Sequence, residues 1–199
     1  MFSRARAFLV IIAAMGFATL SPALAQSHPS LDNAEIAGSA AWRTVSLGTF
    51  TSINAMFNAL DDRRIHVGDL ADEILHRPAF TISKVKTDVQ LVVLSVNQLS
   101  FGRQSSLGAI FARAHKLGYE LCPSEVAVQL RLQYDDQPIG EFLEIAMEPI
   151  ATYDGVPVGL TVANGGAGLM LVSRSVSLEA VPDQGIRLVF VRPLQIATP

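Results

Sequence analysis

The chain has 199 residues, half of them hydrophobic, with 15 basic and 18 acidic side chains and a net charge of −3. A weakly acidic chain has no electrostatic pull toward phosphate backbones or anionic headgroups, which leaves nucleic acid and anionic membrane surfaces out as partners. Cys122 is the single cysteine, so no intramolecular disulfide can form and stability has to come from packing.

Residues 1–25 have the three parts of a secretory signal peptide. Arg4 and Arg6 form a positive front. Ala7 to Leu20 is an uncharged apolar run, shorter than the roughly 20 residues that span a bilayer. Ser21-Pro22 breaks it, and Ala23-Leu24-Ala25 places small residues where a signal peptidase reads. The expected product is exported, periplasmic or secreted, and keeps no stable membrane anchor. Cleavage would remove Arg4 and Arg6, two of the 15 basic side chains, and take the net charge from −3 to −5. Gln26 to Ala41 is small and polar and reads as a flexible leader. Residues 42–199 then read as one domain.

Trp42 opens the ordered part. It packs over a core edge or, if exposed, could stack on sugar or peptide. The alternation of Val45, Leu47 and Thr49 predicts a short strand. Ser52 opens a helix whose apolar face is Ile53, Met56, Phe57 and Leu60, ended by the charged run Asp61–Arg64. A second helix is expected over Val67–Leu75, stopped by Pro78. Phe80–Val85 reads as a strand. Val89–Val96 reads as another, nearly all apolar and so buried on both faces. Ser105 or Ser106 caps a third helix with Ile110, Phe111, Ala114 and Leu117 inward, and Gly118 stops it.

Beyond Gly118 the pattern becomes period two. Val126, Val128, Leu130, Leu132 and Tyr134 alternate with Ala127, Gln129, Arg131 and Gln133, which predicts a strand. Leu143, Ile145 and Met147 predict the next, and Val156 to Val162 another after an Asp154-Gly155 turn. Asn164 to Gly168 reads as a glycine-rich hairpin loop, and Leu169–Val172 and Ile186–Val191 as closing strands. The expected fold class is α+β: N-terminal helices packed on a mostly antiparallel β-sheet with a C-terminal meander.

The segment Leu121–Glu141, LCPSEVAVQLRLQYDDQPIGE, resembles a block found in an uncharacterised family of small bacterial proteins: leucine-cysteine-proline, an acidic residue, then LRLQY, an acidic residue, DQP and GE. The likeness extends to Met147–Ile150 and to Val189–Arg192. It implies a shared fold and carries no activity.

Within that block Arg131 stands close in sequence to Asp135, Asp136, Glu141 and Glu144, and a guanidinium with a bidentate carboxylate would lock neighbouring strands. The plain reading is a hairpin with an ion pair. The functional reading places Arg131, Gln133 and Glu144 on one open sheet face, with Asp135 and Glu141 nearby, as a polar binding surface.

Catalytic alternatives need convergence the sequence cannot supply. Cys122 would need His115, His66 or His76 as a base, yet it sits between Leu121 and Pro123, and His115 points away from its helix's apolar face. Glu144 and Glu148, four apart on a strand, would stand about 13 Å apart, too far for a glycosidase pair. The histidines are scattered, no metal-binding spacing occurs, and Asn164–Gly168 lacks the lysine and hydroxyl of a phosphate loop. No metal or cofactor is expected. The leading expectation is a non-catalytic binding or interaction module for an unidentified ligand or protein. The alternative is a hydrolase or transferase using Cys122 with a histidine, or a carboxylate set between Asp135 and Glu148. A lone cysteine linking two chains is a third.

Overall fold

A computed structural model describes residues 36–193; the predicted signal peptide and most of the leader lie outside them. In chain order the elements are β1 (Arg43–Leu47), α1 (Ile53–Asp62), β2 (His66–Val67), α2 (Asp69–Leu75), β3 (Thr87–Ser95), α3 (Val96–Ser100), α4 (Leu107–Lys116), α5 (Glu125–Gln133), β4 (Phe142–Ile145), β5 (Ile150–Ala151), β6 (Pro157–Asn164), β7 (Leu169–Ser175) and β8 (Arg187–Arg192). The fold is α+β, as the alternation of patterns implied. Among the described residues, five helices pack on an eight-stranded, mostly antiparallel, curled sheet. No helix among them is long and apolar enough to cross a membrane.

Local chemistry accounts for several boundaries. The Ser52 hydroxyl accepts from Ala55 N–H (3.2 Å) and Ser106 from Ala109 N–H (3.3 Å), each satisfying an orphan donor at a helix start. Gly118, at φ +88°, follows α4 in the left-handed region that favours glycine. Ser95 and Gln98 form a capping box that opens α3, a short helix the apolar pattern did not reveal. Val67 belongs to the two-residue β2, so α2 begins at Asp69. Residues 80–85, expected as a strand, form a loop.

The largest correction is α5. Val126–Tyr134 was expected as a strand, yet Glu125–Gln133 is a helix. From Glu125 to Leu132 every residue is buried. A helix surrounded on all sides shows no 3.6-residue alternation of apolar and polar positions, so its valines and leucines imitate a strand. The reason lies in the sheet. Its order is β1-β3-β8-β4-β6-β7-β2, with β5 on β6, and α5 packs against β1 near one end and against β6 and β7 toward the other. The sheet therefore curls around α5.

The final strand β8 does not follow β7 in the sheet. It inserts between β3, antiparallel, and β4, parallel. Paired residues in neighbouring strands share a face, and two cores result. The inner face joins Val45, Leu91, Val189, Leu143, Val162 and Leu171 to α1, α2 and α5. The outer face of β3 and β8 joins Val92, Leu94, Leu188 and Phe190 to α3 and α4. Ile36, within the span read as leader, is buried in this second core, and its carbonyl accepts from the Tyr119 hydroxyl.

Candidate functional site

The residues first expected to form a binding surface divide into three groups with different roles.

The first group lies on α5. Arg131 is fully buried on a helix, not displayed on an open sheet face. Its guanidinium donates to Gln137 Oε1, to the Ala163 carbonyl (3.1 Å) and to the Tyr134 carbonyl just past the helix end. Burial pushes its pKa down to about 10, partly countered by the charge of Asp135. Gln137 Nε2 in turn donates to the carbonyls of Val162 (3.1 Å) and Glu141 (3.2 Å). Asn164 Nδ2 donates to Gln137 O (2.8 Å), and Gly140 N–H to Asn164 O (2.7 Å). Arg131 and Gln137 thus pin the loop after α5 to β6.

Gln133 is also structural. Its amide pairs with both main-chain groups of Ser46: Ser46 N–H donates to Oε1, and Nε2 donates to Ser46 O, each at 3.1 Å. β1 is an edge strand, and these bonds occupy edge groups that would otherwise be open to another chain. One turn back, Gln129 donates to Thr49 Oγ1 (2.7 Å) and to Glu125 Oε1 (2.8 Å). Glu125, 1 % exposed, also accepts from Gly48 N–H and Ser83 N–H, both at 2.8 Å. Glu125, Gln129 and Gln133 stand four apart, on one helical stripe along β1. That spacing was visible in the sequence, but the valine alternation masked it.

The second group is exposed carboxylates on surface ion pairs. Asp135 faces Arg63 (3.3 Å) and Asp136 faces Arg43 (3.0 Å). Arg43 also stacks over Tyr134, 4.3 Å from the ring centroid, and Trp42 packs edge-on against the same ring at 5.1 Å. Trp42 therefore closes a core edge. Desolvation, then the hydrogen bond to Glu141, pushes the Tyr134 pKa up to about 12.

The third group forms a surface. β4 carries Leu143 and Ile145 into the inner core, so Phe142 and Glu144 face outward. Register extends this face in rows. Phe142 aligns with Ala163, Met170 and His66; Glu144 aligns with Thr161 and Val172; Gly159 aligns with Arg174. α3 and α4 cover β3 and β8 on this side, and Leu107 and Phe111 of α4 reach as far as Glu144, Thr161 and Arg174; Phe142 is 52 % exposed. Glu144 accepts from Arg174 (2.7 Å) on this face, and Glu141 accepts from Arg187 (2.5 Å), which has the inner-face parity of Val189, at the end of the sheet. An open cleft of about 600 Å³ lies where the parallel neighbours β4 and β8 both begin. Ile139, Glu141, Phe142, Glu144, Asp183 and Arg187 line it, and Ile139 is 79 % exposed. Of the five candidate residues, only Glu141 and Glu144 meet at one cleft.

The cysteine and the histidines stand in separate settings. Cys122 is buried, its thiol donates to the Val189 carbonyl (3.3 Å), and burial pushes its pKa far up, opposite to what a nucleophile needs. His115 is exposed at the end of α4. His66 is exposed on β2. His76 caps α2, stacks on Phe57 at 4.7 Å and bonds the Asp72 carbonyl (2.9 Å). Of the carboxylates from Asp135 to Glu148, Glu141 and Glu144 share the cleft, each bound to an arginine, while Asp135 and Asp136 lie at the α5 terminus and Glu148 is exposed beyond β4. Among the described residues no group of three or more His, Cys, Asp or Glu side chains could hold a metal. Buried thiols react only through opening, so Cys122 is expected to resist a thiol reagent in the native protein and to label fully in denaturant. Stoichiometric labelling within minutes under native conditions would contradict this placement.

No protein-family model, curated protein or solved structure matches this chain.

Proposed function

We propose that this is an exported, non-catalytic binding protein whose contact surface is the outward half-face of β4, β6 and β7 together with the cleft at the start of β4 and β8. The observation that carries this reading is the exposure of Ile139 and Phe142 beside the Glu141–Arg187 ion pair, at the open cleft where β4 and β8 begin. Contiguous apolar side chains rimmed by charge are a common composition of interaction sites. The opposite, inner face is filled by α5, whose polar side chains serve the fold. Export rests on residues 1–25 of the sequence.

Amide-shift mapping with small aromatic probes, indole and toluene, tests the surface. The shifts are expected to cluster at Phe142, Ala163 and Met170. Phe142→Ser should weaken them several-fold while changing stability by no more than about 0.5 kcal/mol, as for other exposed positions. Clustering at Cys122 or His115 instead would overturn the reading. The mass of the protein recovered from its native cells should place its first residue at Gln26.

A further inference from the structure

Asn164 ends β6 and opens the glycine-rich turn into β7. Each of its polar groups has a partner, and three of the partners lie in the loop between α5 and β4. Its N–H donates to the Glu141 carbonyl (3.1 Å), its carbonyl accepts from Gly140 N–H (2.7 Å), and its Nδ2 donates to the Gln137 carbonyl (2.8 Å). Its Oδ1 accepts from Gly166 N–H (3.3 Å). One half-buried residue thus clasps residues 137–141 to the end of β6. Pro138, Ile139, Gly140 and Glu141 of that loop form a rim of the cleft.

Of the chain's five asparagines, Asn164 alone precedes a glycine. With no side chain on the next residue, nothing shields the following main-chain nitrogen from the asparagine Cγ. Here that nitrogen is also uncommitted: Gly165 is exposed, and among the described residues nothing accepts from its N–H. The Gly166 N–H already lies on Oδ1, the oxygen where negative charge develops when Cγ is attacked. The Nδ2 bond to Gln137 opposes the attack, but one neutral hydrogen bond slows a reaction by no more than about tenfold.

We propose that Asn164–Gly165 is a site of spontaneous deamidation in the folded protein, with water as the only co-reactant, and that the product releases the cleft's rim from β6. The Gly165 nitrogen gives its proton to solvent base and bonds to Asn164 Cγ. The Cγ–Nδ2 bond breaks, ammonia leaves, and a five-membered succinimide closes. Water then opens one of its two carbonyl–nitrogen bonds, giving aspartate or isoaspartate and one more negative charge. Aspartate sets a carboxylate oxygen where Nδ2 stood, acceptor against acceptor at the Gln137 carbonyl. Isoaspartate draws Cγ into the main chain and lengthens the β6–β7 turn by one methylene, so the side-chain amide no longer exists. None of this depends on what the cleft binds.

The test incubates the full folded protein in mildly alkaline buffer, digests it, and follows the peptide that carries Asn164 by mass and by retention, which separates aspartate from isoaspartate. Conversion at Asn164 to both products is expected, ahead of Asn54, Asn58 and Asn97. Gly165→Ala should slow it at least tenfold; its added Cβ meets the far end of the flexible Met170 side chain (2.7 Å to Cε). Asn164→Asp makes one product directly. Its Gly140 amide should exchange at least tenfold faster than in the parent, with exchange in α4 unchanged. An Asn164 that stays intact in the folded protein, over a time in which the urea-unfolded protein converts, overturns the inference. So does conversion led by another asparagine. Equal Gly140 protection in Asn164→Asp and the parent overturns the release of the rim.

Discussion

Arg131→Ala is expected to destabilise the fold by about 3–5 kcal/mol, the scale reached when buried acceptors lose their donor and a large buried side chain is truncated. Alanine leaves Gln137 Oε1 and the carbonyls of Ala163 and Tyr134 without their donor and opens a void where a fully buried side chain stood. The guanidinium itself bears a desolvation cost, shown by its lowered pKa. Arg131→Met, which keeps most of the volume, should therefore lose less than alanine. Denaturant unfolding measures both. A methionine variant more stable than the parent would mean that the cost of burying the charge exceeds the worth of its bonds. Coupling to Gln137 follows from the shared network: Arg131→Met with Gln137→Leu should lose less than the sum of the two single changes.

Glu125→Ala should cost about 2–4 kcal/mol, because one buried carboxylate holds three donors, and bonds to a charged acceptor are worth about 1.5–3 kcal/mol each before relaxation. The damage should be local. Gly48 and Ser83 N–H lose their acceptor, so amide exchange at these positions should accelerate more than in α4. Gly48 sits at φ +67°, and a Cβ there would come within 2.4 Å of Val85 O, so the β1–α1 loop and the loop before β3 have one close-fitting arrangement. Glu125→Gln separates charge from shape. Its Oε1 partners Gly48 and Gln129 and its Oε2 partner Ser83 are all donors, so either amide orientation sets NH2 against N–H. Glutamine should therefore also destabilise, and equal stability of the two proteins would show that a neutral acceptor suffices.

Both variants lie in the helix that the sequence most readily disguised. Where an element has one wet and one dry side, the pattern was legible. Ile53, Met56, Phe57 and Leu60 define the buried side of α1, Ser52 and Ser106 mark helix starts, and Asn164–Gly168 turns β6 into β7. α5 has no wet side along most of its length. Its real signature was the four-residue spacing of Glu125, Gln129 and Gln133, three polar groups turned toward an edge strand. The candidate site was half legible for the same reason. Glu141 and Glu144 line one cleft, while Arg131 was drawn into the interior and Gln133 onto the edge strand.

Chain-local chemistry was enough for the α+β class, most strand positions, the caps and the turns, since those depend on side-chain alternation and on hydrogen bonds within a few residues. The N-terminal signal reading is of the same local kind. Long-range geometry assigned everything that gives a residue its role. It placed β8 between β3 and β4, wrapped the sheet around α5 and left Phe142 exposed beside a cleft at the start of β4 and β8. These features arise from contacts between segments many residues apart, which no short window of sequence encodes. The same valine-leucine run is compatible with strand or helix until the elements that surround it are known.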